Sequence, residues 1–180
     1  ERLSRITEDL LTLARSDAGV LVLRPETVQF AAATEEVVAR LQSAAAQRQV
    51  SIRTELDEDA IVHGDPDLLK RLVWNLVGNA VKFTPGGGQV LIRVDRVEHG
   101  ARLQVADTGP GIPADAVGHI FERFYQVNPV RTAGHAQAGT GLGLAIARAI
   151  ADLHGASVRA ENRDVGALFT VQFPPPRVVG

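Results

Sequence analysis

The sequence predicts an α+β fold with helices on one face of a mixed sheet. Three observations carry this reading. Apolar residues recur at three- and four-residue steps in well-separated stretches, which is the period of an amphipathic helix. Between them lie short alternating segments typical of half-buried strands. Most strand links are hairpin-like, without the regular strand–helix–strand alternation of a parallel sheet. The 180 residues suffice for one full core, or one core and an appendage.

The first element carries Leu3, Ile6, Leu10, Leu13 and Ala14 on one helical stripe and ends at Asp17-Ala18-Gly19. Alone it has nothing to bury that stripe against, so it should pair with another helix. "VLVLRPETVQF" reads as extended and is interrupted by Pro25. A second helix spans about Ala31 to Gln47, with Val37, Val38, Leu41 and Ala45 facing inward. "VSIRTEL" alternates as a strand, and Ile61 to Gly64 is a short one. Asp65-Pro66 supplies an N-cap and a first-turn proline for a third helix, which runs to about Phe83 before "TPGGGQ" stops it. "VLIRVDRV" and "RLQVADT" form a hairpin. From Gly109 to Gly139 periodicity is lost except around Ile120-Phe121. A helix returns at Leu142–Leu153, and "SVRAEN" and "ALFTVQF" close the domain as strands before a proline-rich tail.

Composition excludes several function classes. There is no cysteine, hence no disulfide, thiolate metal site or cysteine nucleophile. A net charge of −2 gives no general nucleic-acid surface. No apolar run approaches the roughly 20 residues that span a bilayer. The chain opens on "ERLSRITEDL", without an initiator methionine or signal peptide, and is expected to be a piece of something longer.

The informative stretch is "NLVGNAVKFT", Asn75 to Thr84. Asparagine is a poor helix-interior residue, because its amide competes for backbone hydrogen bonds. At 100° per residue, Leu69, Leu72, Val73, Leu76, Val77 and Ala80 form the packed side. Asn75, Asn79 and Lys82 share the opposite side, within about 60° of each other. A lone asparagine there is a solvated surface residue; two amides and an ammonium on one stripe suit a magnesium-nucleotide. An amide oxygen is a neutral hard ligand for Mg²⁺, and lysine suits phosphate oxygens.

Two further stretches fit that idea. "DTGPGIP", Asp107 to Pro113, follows a strand directly; its glycines let backbone approach a flat ligand, and Asp107 can accept from an exocyclic amine. By itself it is an ordinary turn. "GTGLGLAIARAI" opens a helix with glycines, placing backbone N–H groups where they can meet phosphate. The spacing G-x-G-x-G with no preceding strand is not a dinucleotide fingerprint, and no lysine follows to make a P-loop.

Taken in order, Asn75-x-x-x-Asn79-Ala80-x-Lys82-Phe83-Thr84, Asp107-Thr108-Gly109-Pro110-Gly111-Ile112-Pro113, Phe121-Glu122-Arg123-Phe124-Tyr125 and Gly139-Thr140-Gly141-Leu142-Gly143-Leu144 resemble the four ATP-site boxes of sensor histidine kinases. The similarity covers roughly residues 25–175. It implies a two-layer α/β sandwich: a mixed sheet of about five strands backed by three helices, with ATP between the helices under a mobile lid. By position, Asn79 resembles the magnesium-binding asparagine and Asn75 its neighbour near the phosphates. Lys82 matches a phosphate-contacting lysine, Phe83 an aromatic beside adenine, and Asp107 the adenine-amine acceptor. Gly109 and Gly111 correspond to glycines shaping the base pocket. Gly139, Gly141 and Gly143, with Thr140 and Leu142 between them, correspond to the phosphate-side box. Arg123 is a looser match to a phosphate contact on lid closure. The small, polar stretch from about Gln126 to Ala138 matches the lid.

The resemblance also implies ATP and Mg²⁺ as ligands and a histidine on a dimerisation domain as acceptor of the γ-phosphoryl group. A response regulator would be the onward partner, and the intact protein a homodimer in the cell membrane with this domain in the cytoplasm. None of His63, His99, His119, His135 or His154 stands in a phosphoacceptor context such as His-Glu-x-Arg-Thr-Pro. His119 reads as structural or surface, and the others as loop or strand-edge residues. Residues 1–19 resemble the end of the dimerisation hairpin, residues 25–175 the catalytic domain, and residues 176–180 a tail. Two alternatives stand beside this reading. Hydrolytic relatives place a glutamate where Asn75 stands, to activate water, and lack the Lys82-Phe83 pair. A non-catalytic nucleotide-sensing or scaffolding module would be expected to have lost some box residues, and every one is present.

Overall fold

The computed structural model describes residues 2–20, 22–98, 100–127 and 140–175, without the side chains of residues 2–6 and 8. In chain order the elements are α1 (Arg2–Asp17), β1 (Glu26–Gln29), α2 (Phe30–Gln47), β2 (Ser51–Leu56), β3 (Ile61–Gly64) and α3 (Pro66–Phe83). There follow β4 (Gln89–Val97), β5 (Gly100–Asp107), α4 (Gly143–Leu153), β6 (Ser157–Asn162) and β7 (Ala167–Phe173). Five strands make one sheet in the order β2-β4-β5-β7-β6. β2 and β4 run parallel and every other pair antiparallel, so the sheet is mixed, as predicted. β1 and β3 form a separate antiparallel ribbon in which Val28 faces Val62.

Side-chain alternation decides which face is covered. Val90, Ile92 and Val94 of β4, Leu103 and Val105 of β5, and Phe169, Val171 and Phe173 of β7 are buried, while their neighbours are partly open. Helices α2, α3 and α4 lie over the buried face. Leu69, Leu72, Val73, Leu76 and Val77 of α3 are fully enclosed, each contributing about 1.5–3 kcal/mol by leaving water. Phe30 meets Phe173 edge-on, with ring centroids 5.0 Å apart, and so ties the start of α2 to the last strand. α1 stands outside this layer and packs on α4. Leu13 is buried, whereas Leu10 and Leu11 are 40% and 47% exposed.

The start of α3 is fixed as its sequence predicts. Asp65 Oδ1 accepts from the N–H groups of Asp67 and Leu68, and Pro66 follows in the first turn. His154 departs from expectation. It is a buried residue closing α4, not a loop or strand-edge residue. Its Nδ1 bonds the Ile150 carbonyl at 2.7 Å, and its Nε2 accepts from Asp65 N–H at 3.0 Å. The imidazole therefore joins the end of α4 to the start of α3, where Gly64 leaves it room. His119 is on the surface, bonded to Glu122 as expected of a surface residue.

Among the described residues of the stretch that reads as extended before α2, Glu26–Gln29 becomes a strand, and Val22 is 84% exposed. After β5 the chain turns through residues 113–125 in successive tight turns, anchored by buried Ala116 and Ile120. Among the described residues, no helix is long and apolar enough to cross a membrane.

Candidate functional site

Of the asparagine stripe of α3, Asn75 faces the glycine-rich start of α4. A Cβ built on Gly143 would stand 3.5 Å from Asn75 Oδ1, so the amide looks directly onto the first turn of α4. Asn75 Nδ2 is buried and has no hydrogen-bond partner among the described residues. Such a donor costs about 1–3 kcal/mol unless something accepts from it. An anionic oxygen at the N-terminus of α4 would be met by the helix N–H groups. Asn79, one turn on, is half-buried. Lys82 Nζ lies 4.8 Å from the Phe83 ring centroid, a cation–π contact that holds both side chains at the same end of α3.

That end is adjacent to the second predicted box. A Cβ on Gly109 would fall 2.9 Å from the Phe83 carbonyl oxygen and 2.9 Å from Asp107 Oδ1, so only glycine fits between the helix end and the carboxylate. Asp107 is 7% exposed. Its Oδ1 accepts from Gly109 N–H at 2.8 Å and Ala167 N–H at 3.3 Å. Burial pushes the carboxyl pKa up, and the two N–H groups pull it partly back. The result is a buried carboxyl whose Oδ1 is held in place by two main-chain donors. Gly111, at φ 76°, turns the chain that follows.

The third and fourth boxes also touch. Phe124 N–H donates to the Gly141 carbonyl at 3.0 Å, and a Cβ on Gly141 would lie 2.7 Å from the Phe124 main chain. Both residues have positive φ, 61° at Phe124 and 70° at Gly141. Thr140 Oγ1 accepts from Leu142 N–H at 3.3 Å, and Leu142 is fully buried at the α4 N-cap. Gly139 lies outside the described residues, as do residues 128–138 of the stretch matched to a lid.

Arg123 does not join the stripe. Its Nη2 bonds Asp17 Oδ1 at 2.5 Å, at the end of α1. A cleft of about 390 Å³ between α1 and α4 is lined by Leu13, Asp17, Phe121, Arg123, Arg148 and Asp152. Of the predicted site residues it includes Arg123 alone. We place the candidate site at α3 and the two glycine boxes instead, because the buried, unpartnered Asn75 Nδ2 and the buried Asp107 carboxyl lie there. One contributor escapes sequence reading. Arg48, just after α2, donates from Nε to the Val81 carbonyl at 3.2 Å and from Nη2 to the Lys82 carbonyl at 2.7 Å. It caps the end of α3 from which Lys82 and Phe83 project, a favourable place for a cation. No motif signals it, because the contact spans 34 residues.

The site fits a magnesium-nucleotide on its own chemistry. At one end the Asn75 amide, its Nδ2 buried and unpartnered among the described residues, stands beside the start of α4, and a buried acceptor with glycine clearance stands at the other. Asn75 and Phe83 are separated by eight residues, about 12 Å along the helix axis. Among the described residues there is no cluster of three His, Asp or Glu that could hold a metal alone. A magnesium ion here would therefore draw on the Asn79 amide oxygen together with oxygens of the ligand.

Comparison with known proteins gives the family. Residues 64–177 match the family described as histidine kinase-, DNA gyrase B-, and HSP90-like ATPase. The signal transduction histidine-protein kinase AfsQ2 of Streptomyces coelicolor is 37% identical over 96% of this chain and 31% of its own length. Among solved structures, full-length ShkA in complex with AMPPNP superposes with a TM-score of 0.82 at 29% identity, over 98% of this chain and 37% of that one. Histidine kinase ThkA in complex with response regulator protein TrrA superposes with a TM-score of 0.76 at 25% identity, over 97% and 48%. The chain spans about a third of the length of the curated relatives it matches.

Proposed function

The chain belongs to the histidine kinase-, DNA gyrase B-, and HSP90-like ATPase family, and from that premise we propose that it is the ATP-binding catalytic unit of a two-component sensor histidine kinase. It binds Mg-ATP and presents the γ-phosphoryl group to a histidine on a dimerisation domain, for relay to a response regulator. The observation that carries this reading is the approach of Asn75, midway along α3 and with its Nδ2 unpartnered among the described residues, to Gly143 at the start of α4, and of Phe83 and Gly109 to the buried Asp107 at the end of α3.

Each residue has a role in that reading. Asp107 accepts from the adenine amine, and Gly109 and Gly111 leave room for the base. Phe83 flanks the base, and Lys82 meets phosphate oxygens. Gly139, Gly141 and Gly143, with Thr140 and Leu142, bring main-chain N–H groups to the phosphates. Asn79 supplies a metal-ligating oxygen, and magnesium when bound neutralises charge on the phosphates. Phosphoryl transfer passes through a charge-spreading transition state, so the protein's work is positioning and electrostatics. Asn75 is an amide and takes no proton at neutral pH, which disfavours activation of water and with it the hydrolytic relatives. α1 fits the end of a dimerisation hairpin, since Leu10 and Leu11 offer an apolar surface to a further helix. A homodimeric, membrane-bound whole protein with this unit in the cytoplasm, and a response regulator like the one bound to ThkA, complete the proposal.

The test is transfer in trans. With γ-labelled ATP the chain should bind nucleotide without labelling itself, because none of its five histidines has a phosphoacceptor setting. A supplied dimerisation hairpin should become labelled on histidine through an acid-labile, base-stable bond. Transfer should be slow and concentration-dependent compared with a tethered hairpin. Self-labelling, or brisk ATP turnover without acceptor, would overturn the kinase reading.

A further inference from the structure

Asn162, the last residue of β6, grips the main chain of Ile112 with both ends of its amide. Ile112 N–H donates to Asn162 Oδ1 at 2.7 Å, and Asn162 Nδ2 donates to the Ile112 carbonyl at 2.7 Å. The pair spans 50 residues and copies the two-way exchange by which one strand registers another. Gly111 passes so close that a Cβ on it would lie 2.9 Å from Asn162 Oδ1. The loop from Thr108 to Pro113 is thus pinned twice. Its near end is held where Gly109 N–H donates to Asp107, and its far end is held by Asn162.

The turn that follows β6 is tied to the same carboxylate. Arg163 N–H donates to the Gly166 carbonyl at 3.0 Å, which closes the turn. Gly166 lies against Asp107, where a Cβ would fall 1.9 Å from the Asp107 carbonyl oxygen. Ala167 N–H then donates to the Asp107 side chain. One end of this turn therefore fixes Asp107, and the other, through Asn162, fixes the glycine loop opposite it. The position of the loop relative to the carboxylate is thus set by one turn.

We infer that Asn162 is a positioning residue for base selectivity: its amide sets the glycine loop at the distance from Asp107 that admits adenine and disfavours a base presenting an acceptor to the carboxylate. This rests on reading the Asp107 pocket as the base site. A neutral hydrogen bond of this kind shifts a local equilibrium about two- to tenfold, so losing both should be measurable without unfolding the domain.

The experiment compares the parent chain with Asn162→Ala and Asn162→Asp, titrating ATP, GTP and inorganic triphosphate, and following hydrogen exchange at the Ile112 amide. Asn162→Ala should weaken ATP about tenfold and GTP little, so that the ATP-to-GTP preference falls, with inorganic triphosphate unaffected. The Ile112 amide should exchange several-fold faster. Asn162→Asp keeps an acceptor for Ile112 N–H and loses the donor, and should fall between. A structural role alone would lower the melting temperature and leave the ATP-to-GTP ratio unmoved. A selective parent with an equally selective Asn162→Ala overturns this inference alone. An unselective parent overturns the base-site reading, and the selectivity assigned to Asn162 with it.

Discussion

Arg123 reaches across 106 residues to Asp17, its Nη2 lying 2.5 Å from Oδ1, and this pair joins the turn region before residue 126 to the last residue of α1. The contact holds the Asp17 carboxyl below its usual range and raises the guanidinium. An arginine so held is not also on a phosphate. If Arg123 serves the phosphates in the bound state, binding must first break this pair. Asp17→Asn should then tighten Mg-ATP, by no more than a few-fold because the pair is exposed and screened. The gain should shrink as salt is raised, because salt screens the exposed pair in the parent. Calorimetric titration at low and high salt reads both effects. Identical affinities at low salt would assign Arg123 to the α1 contact only.

Asp107 gives a prediction with a defined sign. Burial raises its pKa from the ordinary 3.8, so the folded empty chain holds the proton to higher pH than the unfolded chain. Between those two pKa values the native state binds more protons, and stability falls as pH rises through the window. Asp107→Asn cannot ionise, and its amide oxygen can keep the bonds from Gly109 and Ala167. The empty variant should be more stable than the parent at neutral pH, with the gap closing as pH approaches 3.8. Denaturant titrations at several pH values measure it.

For ligand the sign reverses. An adenine amine donating to Asp107 favours the carboxylate, so ATP affinity should weaken as pH falls through the raised pKa. The ATP affinity of Asp107→Asn should be insensitive to pH over that window, and the variant should lose discrimination against GTP. A site built on one polar contact rejects partners that leave it unpaired. A parent that binds GTP as well as ATP would remove Asp107 from the base site.

Asn79→Ala separates metal from base. If its amide oxygen takes part in the magnesium shell, the variant should lose about 1–3 kcal/mol of Mg-ATP affinity, roughly five- to 150-fold, and bind adenosine as the parent does. Equal Mg-ATP affinity in both proteins would mean that Asn79 is a solvated surface residue.

Much of this was legible in the sequence, and the reason is locality. The start of α3 is written in Asp65-Pro66 and its packed side in a 3.6-residue period, both decided within a few turns. The β4–β5 hairpin and the Asn75–Asn79–Lys82 stripe are likewise short-range patterns. What could not be read is long-range. Arg48 caps α3, Asn162 registers Ile112 and His154 braces Asp65 from 89 residues away. Each is an unremarkable polar residue until the fold supplies its partner. The Arg123 expectation came from the resemblance alone, and the structure gives that residue a partner on α1, 106 residues away, that no pattern announced.

Two glycines make the sharpest contrast between fold and function. Gly166 sits at φ 77°, and a Cβ there would fall 1.9 Å from the Asp107 carbonyl oxygen. Gly166→Ala should destabilise the domain by at least about 1–2 kcal/mol from backbone strain alone. Gly143 is different. It is the first residue of α4, and its added Cβ would meet only Asn75 Oδ1, at an ordinary 3.5 Å. Alanine is up to about 1 kcal/mol better than glycine within a helix, so Gly143→Ala should melt at or above the parent temperature. Yet its methyl group would stand between the orphaned Asn75 amide and the helix N-terminus, where a phosphate must approach. Mg-ATP affinity should fall tenfold or more while stability holds, a combination that core damage cannot produce. Thermal unfolding and nucleotide titration on the same samples decide it. A Gly143→Ala protein that binds Mg-ATP like the parent would place the phosphates elsewhere.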